Sequence, residues 1–407
     1  MPDHPGVSAV LSRNLVAYLL SRFCSGCAMT MLRAGIAWHV FALTNSAFHL
    51  GLIGAVQFVP ALGLLLVAGT LADVWDRRRI MMGAQTLALS CAGVLLWATA
   101  SGHVTVMLLY GLILVIAVTA AFENPSRAAL LPTLVPREIF PRAVTIATTN
   151  QALALASGPV LGGLLIAARG VAAVYAAYVV LVSSALAALA FIRPARSDRT
   201  RAAPSLRAMR EGLVFVRRRP VVLGVMVLDM FAVIFGGAAA LLPIYARDIL
   251  QVGARGYGLL TSSLEIGALV TSAILVVRRP IRRTGRALLI AVGVYGLATI
   301  VFGLSRWFPL SVAAYMVVGM ADQVSVVMRS TAIQLSTPDE LRGRVSAVNL
   351  LFIGASNQLG AAESGFLAAL TSAPFAVVGG GVGSLVVLAI VATTIPALRA
   401  YRIDTTA

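Results

Sequence analysis

Five carboxylates interrupt otherwise apolar stretches of this chain: Glu123, Asp229, Glu265, Asp322 and Glu363. A lone charge inside a bilayer is costly, so each is a candidate for chemistry by position alone. All 32 basic residues are arginine, and arginine does not give up its proton in proteins. Any proton that crosses with this chain must therefore ride on a carboxylate or on His39. Glu265 falls nearest the middle of its apolar run, and Glu363 lies in another. Asp322 precedes Arg329 by seven residues, two helical turns on one face, which predicts a structural ion pair more readily than a proton carrier. Asp229, two turns into its run, suits either role. Glu123 is expected at the interface, with Arg127 one turn away.

Two arginines share the first run. Arg22 and Arg33 are eleven residues apart, three turns, and point the same way. Arg22 can snorkel to the nearer surface. Arg33 is too deep for that and must face either an anionic or catechol-like ligand or an acid of the second half of the chain. Met29 and Trp38, with Phe23 and Met31, could line an adaptable pocket or face lipid. His39 is expected near the far interface.

A charged hinge separates the second and third runs: Gly69 to Met82 reads GTLADVWDRRRIMM. Asp73 there could sit against the N-terminus of the eleventh helix, just after Gly343. A helix N-terminus offers a carboxylate about 0.3–1 kcal/mol at an exposed site. The contact would form in one conformation only, so Gly69, Asp73, Arg77, Arg78 and Arg344 are read as a conformational latch. The plainer alternative is that they only set topology. In the fifth run, Gly158-Pro159 removes a backbone donor while Gly162 and Gly163 admit a close neighbour. This predicts a hinge and packing seam.

The elements that must position these residues follow from composition. The chain is 59% hydrophobic and 12% charged, about half the charge of a soluble protein. Its apolar runs reach the ~20 residues a membrane helix needs, and the ~10-residue alternation of a membrane β-barrel is absent. The spacing predicts an all-α polytopic membrane protein with twelve spans, near 15–43, 49–73, 80–100, 104–123, 144–168, 171–192, 221–247, 256–277, 287–304, 308–328, 345–370 and 374–396. The net charge of +17 does not imply nucleic acid, because the arginines cluster at the ends of runs. With the N-terminus inside, nearly all of them fall on the cytoplasmic side, and only Arg169, Arg247, Arg255 and Arg306 on the other. Both termini are thus expected in the cytoplasm. The first run, broken by Arg22, lacks a cleavage site for a signal peptide. Residues 193–220 are the longest polar stretch, with a surface helix near Leu206–Val216, and divide residues 1–192 from residues 221–407. Cys24-Ser-Gly-Cys27 has redox spacing but no second pair, so these cysteines read as small packing residues and no metal site is expected.

The two halves repeat. Arg127, Pro136, Glu138 and Arg142 recur 202 positions later as Arg329, Pro338, Glu340 and Arg344, and the same offset aligns Gly158 with Gly360 and Gly163 with Gly365. Duplicated halves predict a substrate path between them and alternating access. With Gly69-x-x-x-Asp73-x-x-x-Arg77-Arg78, the chain resembles the major facilitator superfamily, whose loop signature is commonly G-x-x-x-D-R-x-G-R-R; Val74 and Asp76 depart from it. ALASGPVLGG (154–163) is similar to the fifth-span signature of the antiporter branch. TPDELRGRVSAVN (337–349) and FIGASNQLGAAESG (352–365) resemble the bacterial group that holds the enterobactin exporter and related secretion and multidrug pumps. The resemblance implies a proton-coupled exporter of small amphipathic molecules (drugs, siderophores or metabolites) in the bacterial inner membrane. It would act as a monomer, with membrane lipid, a small-molecule substrate and protons as its partners. Uptake or facilitated diffusion of an organic anion is the second reading, and a transport-silent sensor or scaffold the third. No HExxH, nucleophile elbow or GxxxxGK[ST] is present, so neither an enzyme nor a cofactor is expected, and the driving force must be an ion gradient.

Overall fold

The computed structural model describes residues 12–63, 77–192, 206–278 and 281–402. Helices account for the ordered elements, with no strand among the described residues. They run α1 Arg13–Thr44, α2 Ala47–Gly63, α3 Arg77–Ala100, α4 Val106–Leu130, α5 Phe140–Arg169, α6 Val171–Ala190, α7 Leu206–Arg218, α8 Pro220–Phe235, α9 Gly253–Val277, α10 Thr284–Leu304, α11 Phe308–Leu335, α12 Asp339–Leu370 and α13 Ala373–Thr394. Ten stretches among the described residues are long and apolar enough to cross a membrane. The expectation of twelve spans adds α2, whose apolar part is the shorter Ala47–Pro60, and α12, which is 32 residues long but more polar.

The burial pattern follows from a hydrocarbon solvent. Large apolar side chains such as Trp97, Val276, Val277, Leu297 and Leu370 stand exposed on the helices, where lipid rather than water would meet them. With no hydrophobic difference between core and surroundings, close packing of small residues has to hold helices together. Glycines do this throughout. A Cβ on Gly267 would strike the Met316 carbonyl oxygen, and one on Gly319 the Leu264 carbonyl oxygen, so α9 and α11 touch backbone to backbone.

Contacts group the chain into two compact units, residues 1–36 with 63–203 and residues 37–62 with 204–407. Residues 37–62 join the second unit because Gly51 and Gly54 of α2 pack on Ala362 and Gly365 of α12. Within the first unit, Leu15, Tyr18, Met81, Leu130 and Leu189 form a core shared by α1, α3, α4 and α6. Within the second, Val225, Leu288, Met328, Val348 and Val391 do the same for α8 and α10–α13.

The repeat is visible as packing. Gly158 of α5 abuts the Cys27 carbonyl and the Met31 amide of α1, and Gly360 of α12 abuts the Val233 and Ile234 carbonyls of α8. Each glycine thus does the same job in its own half. α5 is a continuous helix through Pro159, and its buried Gly158, Pro159, Gly162 and Gly163 form the seam against α1. The seventh run is not one helix. α8 stops at Phe235, Gly236 and Gly237 break it, and the chain continues as a 3-10 turn at Ala238–Leu241, a helical turn at Leu242–Ile244 and a π turn at Tyr245–Ile249. Gly237 fits there because a side chain would strike the Gly360 carbonyl and the Ser364 hydroxyl of α12.

Candidate functional site

The sequence reading missed the broken α8, and the polar groups of the second unit gather beside it. Glu265 lies on α9 and Asp322 on α11, two and three residues from the glycines that seal those helices together. Thr271 adds a bond across the seam, its hydroxyl donating to the Met320 carbonyl at 3.3 Å. That contact leaves the two carboxylates half-buried and close enough for each to feel the other's charge. Tyr295 lies within electrostatic reach of Asp322 and Tyr315 of both acids, and Tyr257 lies within reach of Tyr315. Tyr257 and Tyr315 are 3% exposed. The Tyr295 hydroxyl donates to the Gly236 carbonyl at 3.1 Å, tying the acid cluster to the break in α8. Trp38 stacks on Tyr257 with ring centroids 5.3 Å apart. Ser262, one turn before Glu265, is fully buried and its hydroxyl has no partner among the described residues.

Arg329 does not pair with Asp322 as expected. It forms a buried ion pair with Asp229 of α8, both residues being almost fully enclosed. The physical reason is placement: Asp229 reaches Arg329 from the facing helix, while Asp322, two turns along α11, turns toward Glu265. Glu363 is half-buried and accepts a bond from the Ser364 hydroxyl at 3.3 Å, next to the α8 break but on α12.

In the first unit a small cavity of about 60 Å³ opens between α1, α3, α4 and α6, lined by Ser25, Met29, Arg33, Gln85, Glu123 and Tyr178. Met29 and Arg33 thus share a pocket, whereas Trp38 belongs to the tyrosine cluster. Glu123, at the end of its apolar stretch, is enclosed by protein. It is 7% exposed and accepts a 2.8 Å hydrogen bond from Gln85 Nε2. The acid beside Arg33 in this cavity is Glu123, from its own half of the chain. Gln85, a lone amide six residues into an apolar run, was the signal that could have revealed this site. His39 is also buried, at 6% exposure. Arg22 does not snorkel freely: it donates to Tyr18 Oη at 2.8 Å and to Gln151 Oε1 of α5 at 3.0 Å.

Of the latch residues, Gly69 and Asp73 lie outside the described residues, and only the backbone of Arg77 is described, where α3 begins. Arg78 caps α6, donating to the Leu189 carbonyl at 3.0 Å and to that of Ala190. Arg344 is engaged by Glu211 of α7 at 2.6 Å, and Gly212 of α7 rests on the Arg344 carbonyl.

A chain of apolar helices with acids at their packing seams and a broken helix among them is built as a membrane transporter. Residues 12–406 match the family described as transmembrane secretion effector, and the chain belongs to that family, a group within the major facilitator superfamily. It is similar to the enterobactin exporter EntS of Escherichia coli O1:K1, 27% identical over 99% of this chain and 94% of the relative. The EntS of Escherichia fergusonii is 26% identical over the same shares. Among solved structures, a POT family transporter in complex with 5-aminolevulinic acid aligns over 95% of this chain and 96% of that one, with a TM-score of 0.73 and 13% identity. A bacterial homologue of the human lysosomal transporter Spinster aligns over 99% and 100%, with a TM-score of 0.70 and 14% identity. These two share the fold. The protein is a multi-pass membrane transporter.

Proposed function

We propose that this transporter is a proton-coupled exporter of small amphipathic molecules, of the siderophore, drug or metabolite kind, working by alternating access in the bacterial inner membrane with both termini cytoplasmic. The observation that carries the coupling is the Glu265–Asp322 pair. Two carboxylates within electrostatic reach in a low-dielectric site resist being ionised together, so such a pair tends to hold one proton. The hydroxyls of Tyr295 and Tyr315 lie within electrostatic reach of the pair. The α9–α11 seam fixes both acids on rigid elements, and an interrupted helix such as α8, beside them, is the kind of element that transport sites are built on. Asp229 is a structural group: its partner Arg329 cannot deprotonate, and removing either would strand a buried charge. Glu363, bonded to Ser364 beside the break, is the second candidate carrier. The export direction rests on the secretion family and on the relatives named as exporters. In the second reading, uptake or facilitated diffusion of an organic anion, Arg33 in its polar cavity is the favouring feature.

Inverted membrane vesicles with an imposed pH gradient test the coupling. Adding a catechol siderophore or a cationic dye should release lumenal protons from wild-type vesicles. Glu265→Gln and Asp322→Asn should abolish that release, and proton release undiminished in both variants would overturn the assignment of the carrier.

A further inference from the structure

The cavity in the first unit holds a feature that the substrate path does not explain. Gln85 is 2% exposed, and its Oε1 has no hydrogen-bond partner among the described residues, although the residue lines the cavity. A buried amide with one end bonded and the other orphaned is costly, by about 1–3 kcal/mol. The bonded end faces Glu123, 2.8 Å away. An amide opposite a carboxyl can serve either charge state of it. Nε2 donates to the ionised carboxylate; turned by half a rotation, the amide presents Oε1 to accept from the O–H of the protonated acid. The cavity, about 60 Å³, has room for a few waters and is too small for a siderophore or a drug, so what it admits is water and what water brings.

We propose that this cavity is a proton-binding site of the first unit, with Glu123 as the acceptor and Gln85 as the amide that keeps both of its protonation states bonded. A proton arrives from a hydronium in the cavity, binds a Glu123 carboxylate oxygen, and leaves a water behind. The other ionisable groups facing it are Arg33 from α1 and Tyr178 from α6, and Cys91 of α3 lies within electrostatic reach of Tyr178. Arg33 is exposed where it meets the cavity. For any consequence to substrate exchange the inference rests on the antiport reading above.

Infrared difference spectra of the whole purified protein in lipid nanodiscs, recorded on stepping the pH down, test the site without transport. The Glu265→Gln/Asp322→Asn/Glu363→Gln triple variant serves as background, and the signal common to every variant, from the other carboxyl groups, is subtracted. A carboxylic acid component should then appear, be lost in Glu123→Gln, return displaced in Glu123→Asp, and shift in position in Gln85→Leu. A spectrum unchanged in Glu123→Gln would overturn the site. A band lost in Glu123→Gln but unmoved in Gln85→Leu would overturn the role of the amide. If Glu123→Gln does not fold, the displaced band of Glu123→Asp decides alone, and its absence counts against the proposal. Substrate movement without any proton response in wild-type vesicles would remove the antiport reading and leave this site standing.

Discussion

Asp229 and Arg329 give the clearest consequence at the scale of single residues. The pair is buried between α8 and α11, and breaking one partner of such a pair costs about 3–5 kcal/mol because the other charge is left uncompensated. Arg329→Met alone should therefore lower the thermal unfolding midpoint of the detergent-solubilised protein sharply. Arg329→Met combined with Asp229→Leu should regain most of the loss, since neither charge then remains. A surface pair behaves differently. Glu211 and Arg344 are each about two-fifths exposed, where an ion pair contributes about 0–1 kcal/mol, so Glu211→Gln should leave that midpoint nearly unchanged. The sequence marked Asp229, Asp322 and Arg329 among the charged groups of the second half, because charges in apolar runs cannot be hidden. It could not choose the partner of Arg329. Heptad spacing along one helix is visible in a sequence, while a bond from a facing helix depends on rotation and crossing angle. Glu123 escaped for the same reason, since its partner Gln85 is 38 positions away.

At the scale of elements, glycine seams decide how closely the helices approach. Gly319 of α11 sits on the Leu264 carbonyl, and Gly158 of α5 on the Cys27 carbonyl and the Thr30 hydroxyl. Gly319→Val should separate α9 from α11, move Asp322 from Glu265, and cut transport at least tenfold while protein still reaches the membrane; transport assays paired with immunoblots of the membrane fraction check this. Gly158→Val should lower both the amount inserted and the rate. The apolar runs made most helices legible, since length and hydropathy suffice where lipid is the solvent. The break at Gly236–Gly237 was not legible, because paired glycines also occur in unbroken membrane helices; only the Gly360 carbonyl and the Ser364 hydroxyl opposite Gly237 reveal why the chain must open there. The extension of α12 back to Asp339 was hidden by the charges of its first turns, which are polar enough to read as loop.

For the whole molecule, the 202-residue repeat was the sequence signal with the widest reach. It is realised as two equivalent seams, α5 on α1 within the first unit and α12 on α8 within the second. The proposed proton-binding acids fall in both halves, Glu265 and Asp322 in one and Glu123 in the other. Neutralising the first pair should uncouple substrate movement from protons, and Glu123→Gln should do so as well, whereas Asp229→Asn should act on stability. Export is proposed to be driven by proton exchange. The most direct measurement uses the purified protein in liposomes with an imposed pH gradient, following accumulation of a radiolabelled catechol siderophore as the gradient is varied. Uphill accumulation on the acidic side is expected, rising with the size of the gradient and collapsing when a protonophore is added. Accumulation that never exceeds equilibrium, whatever the gradient, would contradict it.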